Sequence, residues 1–223
     1  TFSRNLGVLK QNSLPSLVQD ELELMFRKGK FTPGHPLREA TLATQLGVSR
    51  GPIREAFRSL EEKGLVTVEK NRGVFVRVIT AQEADDIFEV RTALEKIIVS
   101  RIAKAPDCLH NSGLPQLLSK ATKLAAKADF SACHALNIQF HERLAELAGN
   151  HTLLNTYRRL VNELSLFRQQ AHARQADASS LKQSVEDHKA LLEALLMGDQ
   201  KKALKVLKLH VDESRKRLQH ILS

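Results

Sequence analysis

PLREATLATQLGVSRGPIREAFRSLEEKGLV, from Pro36 to Val66, decides the fold of the first third of the chain. Its apolar residues recur twice at helical spacing. A short helix is predicted over about Glu39 to Leu46, stopped by Gly47, the residue that enters the left-handed region at least cost. Ser49 then opens a second helix in which Ile53, Ala56, Phe57 and Leu60 share one face, and Gly64 closes it. Two helices around a tight Gly-Val-Ser turn make a helix-turn-helix, whose second helix is shaped to enter a DNA major groove.

Working outward, Ser13 can cap and Pro15 can start an earlier helix that places Leu17, Val18, Leu22 and Met25 on one face, ended by Gly29. Downstream, Leu65–Val68 and Val74–Val78 are β-branched runs separated by Glu69-Lys70-Asn71-Arg72-Gly73, which reads as a β-hairpin with a basic tip. The order is that of a winged helix-turn-helix. At ~100° per residue, Arg50, Arg54 and Arg58 lie opposite the apolar face of the second helix. There they are placed to bond guanine O6 and N7 or to neutralise phosphate, with Ser49 as a further phosphate donor and Arg72 at the wing tip. The alternative is a solvated stripe paired with Glu55, Glu61 and Glu62.

The whole chain has 223 residues, 42% hydrophobic, 26% charged and 4% aromatic, with no tryptophan. Such leucine- and alanine-rich composition favours helix over sheet, so the fold class is mainly α. A net charge of +9 points to a polyanionic partner. Residues 1–79 carry 13 basic and 8 acidic side chains, a denser surplus than the 21 and 17 of residues 80–223. Domains are expected at 1–79, the winged head, and at 80–223, an all-helical bundle of about six helices with breaks near Pro106–Pro115, Lys127–Ala128, Gly149, Asp177 and Gly198. Cys108 and Cys133 form no framework, and no apolar run reaches the ~20 residues that span a bilayer. A cytoplasmic protein with no membrane partner is the expectation.

In the bundle, His141, His188 and His210 fall on three separate predicted helices. His188 belongs to the stripe Leu181, Val185, His188, Leu192, Leu195; His210 edges another; Asn137 lies one turn before His141. Convergent imidazoles would bind a divalent transition metal, although a single histidine on such a stripe is more often a hydrogen-bonded core residue. Arg91, on the stripe Ile87, Arg91, Leu94, Ile98, needs an anion if it points inward; Glu142 is one internal candidate. His134, one heptad before His141, would line the same cavity. His35, His110, His151, His172 and His220 read as loop or surface residues.

The stretch from Pro36 to Val66, with Arg72-Gly73-Val-Phe-Val, resembles the GntR family of bacterial transcription regulators over about residues 14–78. That resemblance implies DNA contacts by Ser49, Arg50 and Arg54, and a Gly73 that lets the wing approach the minor groove. Ala40 departs from the arginine used by the family's fatty-acid-responsive member, so that member's base preference does not transfer. ALNIQFHERLAELAGN (135–150), EDHKALLEAL (186–195) and LKLHV (207–211), with Arg91 in FEVRTALE (88–95), resemble the FCD sensor domain of the FadR subfamily. By helix count the sensor is closer to the VanR-like group.

The resemblance implies a metabolite-responsive regulator, usually a repressor and not an enzyme, that binds a palindromic double-stranded operator as a homodimer. It also implies a metal ion (Zn, Ni or Mn) held by Asn137, His141, His188 and His210, and a small carboxylate effector near Arg91 and His134. Asparagine stands at 137 where aspartate is usual, which weakens the ligand and makes the site more positive. Two alternatives remain at this point: the metal itself is the signal, or the bundle is a metalloenzyme carrying a DNA-binding head.

Overall fold

The computed structural model describes residues 13–171 and 178–222. Contacts divide the chain into two compact units, one of residues 1–79 with Ser165–Gln170, the other of Thr80–Leu164 with Ala171–Ser223.

In the first unit, α1 (Leu14–Arg27) begins as its sequence dictates: Ser13 accepts a hydrogen bond from the amide of Ser16, and Pro15 sits in the first turn. Its buried stripe is Val18, Leu22 and Phe26, while Leu17, expected inside, is 53% exposed. The i, i+4, i+8 series takes the core side, and Leu17 lies about 100° away from Val18. Helix α2 (Glu39–Leu46) ends at Gly47, whose φ of 66° carries the turn into α3 (Arg50–Glu62). Ile53, Ala56, Phe57 and Leu60 are buried. Burial of each large side chain stabilises the head by roughly 1.5–3 kcal/mol.

The wing strands are β2 (Val66–Glu69) and β3 (Gly73–Val76), paired antiparallel in the register Val66 to Val76 and Glu69 to Gly73. A strand not anticipated from the sequence, β1 (Pro36–Leu37), pairs with the other edge of β3 and makes a three-stranded sheet of order β1-β3-β2. Two residues carry too little periodicity to announce themselves as a strand.

The second unit is helical. Its helices are α4 (Ala81–Lys104), α5 (Leu114–Ala126), α6 (Phe130–Leu147), most of α7 (His151–Ala171, whose Ser165–Gln170 fall in the first unit), α8 (Ala178–Leu196) and α9 (Gln200–Leu222), with a 3-10 turn at Pro106–Leu109. Breaks lie at the anticipated positions near Pro106, Lys127, Gly149 and Gly198, whereas the break placed at Asp177 falls outside the described residues. Thr80 and Glu83 form a reciprocal capping box at the start of α4. Within the bundle α4 packs on α9, α5 on α6, and α8 on both α9 and α5. Phe88, Leu114, Phe140, Leu144, Leu195 and Leu207 are among the side chains closed off from solvent. No described helix is long and apolar enough to cross a membrane.

Candidate metal centre and nucleic-acid interface

On the head, Arg50, Arg54 and Arg58 are all exposed along α3, opposite its buried face. Ser49 occupies the N-cap position with extended backbone, yet its hydroxyl makes no capping bond. Arg54 is paired, although not with Glu55, Glu61 or Glu62: its Nε donates to both carboxylate oxygens of Glu39 at 2.8 and 3.0 Å, from the preceding helix. Glu39 thereby holds the guanidinium above its ordinary pKa and in one orientation. At the wing tip Arg72 pairs with Glu69 and lies over the Phe75 ring at 5.4 Å. Asn71 and Gly73 have φ of 64° and 108°, the second a backbone state that leaves glycine the favoured residue there.

In the helical unit, α6, α8 and α9 bring His141, His188 and His210 together. Each is at least nine-tenths buried. His141 Nε2 lies 3.0 Å from His188 Nε2, which lies 3.3 Å from His210 Nε2. All three ligand atoms fall within 4.8 Å of one another, the cluster among the described residues whose spacing suits a metal ion. The Phe140 ring stacks on His188 at 4.7 Å between centroids and keeps its imidazole from turning.

The outer nitrogens have their own partners. His141 Nδ1 faces Glu95 Oε1 at 3.5 Å, and His210 Nδ1 faces Asp187 Oδ2 at 3.2 Å. A carboxylate beside Nδ1 favours the proton there and directs the lone pair of Nε2 inward. Inward lone pairs at 3.0–3.3 Å repel unless a proton or a cation lies between them, and one proton on His188 Nε2 serves only one neighbour. Zinc–nitrogen bonds near 2.0–2.1 Å would set tetrahedral ligand nitrogens about 3.3 Å apart. The donor set thus fits a transition-metal ion, and the hydrogen bond to His210 holds Asp187 below the usual carboxylate range, so it remains an anion.

Asn137 is half-buried on α6, one turn before His141, and His134 is half-buried one further turn back, outside the group of three histidines. Arg91 is buried as its stripe required, but its partner is Glu95 on the next turn, with Nε to Oε1 at 3.3 Å. Burial opposes its charge, and Glu95 together with Tyr157 more than offsets this, holding the guanidinium above its ordinary value. The expected partner Glu142 instead lines an open groove of about 390 Å³ with Lys120, Gln139 and Arg143, and lies 3.9 Å from Arg158.

Glu95 is the residue that sequence reasoning missed. It is 2% exposed and joins Arg91, His141 and the hydroxyl of Tyr157, which donates to it at 2.9 Å. Burial, then the Glu95 charge, raise the Tyr157 pKa well above its ordinary value, so the phenol keeps the proton it donates. Glu95 follows Arg91 by four residues on an inward stripe, a spacing that offered the only sequence signal for it. Asp187, also missed, sits beside His188 in the chain but serves His210. Of the surface-assigned histidines, His35, His110 and His151 are exposed; the side chains of His172 and His220 lie outside the described set.

The gntR family model of bacterial regulatory proteins matches residues 16–76, and the FCD domain model matches residues 86–213. The "HTH-type transcriptional repressor GlaR" of Escherichia coli is 30% identical over 82% of this chain and 86% of its own. A "Probable D-xylose utilization operon transcriptional repressor" of Paenarthrobacter nicotinovorans is 28% identical over 91% and 88%. Among solved structures, E. coli McbR/YncC superposes with a TM-score of 0.82 over 95% of this chain and 99% of that one, at 22% identity, a likeness of fold. With regulators as its relatives, the reading of the bundle as a metalloenzyme falls away. The chain therefore belongs to the GntR family of bacterial regulatory proteins, with an FCD domain behind its winged helix-turn-helix, and is a transcription regulator rather than an enzyme.

Proposed function

We propose that this protein is a cytoplasmic, metabolite-responsive repressor that binds a palindromic operator as a homodimer and releases it when a small carboxylate enters a metal-containing pocket. The observation that carries the effector half is the convergence of three buried histidine nitrogens at 3.0–3.3 Å, with carboxylates behind His141 and His210. His141, His188 and His210 would hold Zn, Ni or Mn, with Asn137 as a neutral fourth donor. The bound ion would supply a Lewis-acidic anchor with open positions for a carboxylate. Because Glu95 is already neutralised by Arg91, a dication here would leave the pocket net positive, which suits an anionic effector. Effector binding that shifts the helices carrying these side chains would move the heads out of register with half-sites one helical turn apart. Arg91 would act through Glu95, and His134 would sit at the pocket margin.

DNA reading is assigned to Ser49, Arg50, Arg54 and Arg58 on α3 and to Arg72 and Gly73 on the wing, which are exposed as such a role requires. The GlaR and D-xylose regulators, both named as repressors, support the sign of regulation.

The test starts from untagged full-length protein purified without chelator, with elemental analysis of wild type and His188→Ala. Near-stoichiometric metal in the first and little in the second is the expected result. Operator fragments selected from a random pool are then titrated with small organic acids in the presence of that metal. Release by one class of acid, only with metal present, is expected; release by metal alone would replace the effector reading with metal sensing, and a wild type that takes up no Zn, Ni or Mn would overturn the centre.

A further inference from the structure

Helix α4 is buried on one side and bare on the other. Asp86, Val90, Ala93, Ile97, Arg101 and Lys104 repeat at intervals of three or four and all are exposed, with Val90 and Ile97 at 50% and 47%. Helix α9 runs antiparallel beside α4, tied to it by the Gln200–Ser100 and Arg215–Asp85 contacts. That alignment brings Leu209, 58% exposed, to the level of Val90 and Ala93. The apolar residues lie mid-helix, and the charges around them are ordered. Asp86 and Glu89 stand toward the N-terminal end, while Lys96, Arg101 and Lys104 stand toward the C-terminal end.

This order selects an occupant. A polyanion would be repelled by the acidic half, a polycation by the basic half, and an uncharged surface would leave both ends without partners. A surface presenting the same order reversed satisfies all of it, and a second copy of the same helix, laid antiparallel, is such a surface.

We infer that the bare face of α4 is the contact by which two copies of this chain associate, antiparallel about a two-fold axis passing between Ala93 and Leu94. In this register Val90 meets Ile97 of the second copy, and Asp86 meets its Arg101, each pair occurring twice by symmetry. The guanidinium of Arg101 is tethered at this end of the face by its own Nε, which donates to the carbonyl of Ala148 at 2.7 Å. The inference rests on the homodimer reading and adds the surface to it.

Sedimentation of the full chain over a range of concentrations tests the contact. Wild type should be a dimer; Ile97→Glu should weaken association at least about tenfold by placing a charge in the apolar centre. Asp86→Arg and Arg101→Glu should each weaken it, and the double variant should recover most of the loss, because the reversed charges meet again across the axis. Far-ultraviolet dichroism and a thermal melt accompany each variant to show that the fold is unchanged, as expected for exposed positions. An Ile97→Glu protein that dimerises like wild type would overturn this surface while leaving the homodimer standing. So would a double variant whose losses add. A wild type that stays monomeric at every concentration would overturn the homodimer reading itself, and this contact with it.

Discussion

Arg54 and Arg91 each pair with a carboxylate other than the ones their sequence positions suggested. Arg54 is aimed by Glu39 across the turn between α2 and α3, so the pair, rather than the arginine alone, presents the guanidinium. Arg54→Ala should weaken binding to a selected operator by roughly 1–3 kcal/mol if it reads a guanine, and random DNA by much less; fluorescence anisotropy on both DNAs separates the two. Glu39→Gln removes a negative charge from the same surface and should strengthen random-DNA binding, seen as tighter association and a steeper dependence on salt. Inside the bundle, Glu95→Gln would leave the Arg91 charge buried with no anion beside it. Breaking a buried pair in this way costs about 3–5 kcal/mol, so urea unfolding should show a loss of that order, much of it recovered when Arg91 is also replaced by methionine. The stripe of α4 allowed Arg91 to point inward, as its burial shows it does. It did not reveal that the counter-charge comes from the next turn of its own helix, because an i+4 carboxylate reads equally well as an exposed salt bridge.

At the level of elements, the boundaries that glycine and capping residues mark were the most legible. Ser13 and Gly47 each stand where local backbone chemistry requires them, and such chemistry is written within three or four residues. Strand β1 was not legible, since its two residues take their conformation from pairing with β3, a partner nearly forty positions away. Gly47→Ala should destabilise the head by about 1 kcal/mol through backbone conformation alone, because a Cβ there meets nothing within 4 Å. Thr80→Ala, which dismantles the capping box, should cost about 1 kcal/mol. Chemical denaturation of each variant gives the value directly.

For the molecule as a whole, the three candidate metal ligands all lie in the helical unit, so stabilisation by a bound metal would be centred there. A ligand that binds only the folded form at one hundred times its dissociation constant adds about 2.7 kcal/mol to stability. Chelation should therefore lower the melting temperature of the helical unit, and calorimetry of His188→Ala should show the same lowered transition with or without chelator. The histidine cluster was partly visible beforehand, since three stripes each offered an imidazole. Their meeting point was not, because it depends on how α6, α8 and α9 pack.

That meeting point also sets an order in time. His141 and His188 are 47 residues apart, and His210 follows 22 residues later on another helix. During synthesis, a chain still waiting for α9 holds two of the three imidazoles and an incomplete cluster. If the cluster is the sensor proposed above, the ability to respond would be acquired only when the last of these helices has left the ribosome and docked, and fragments arrested earlier would lack it.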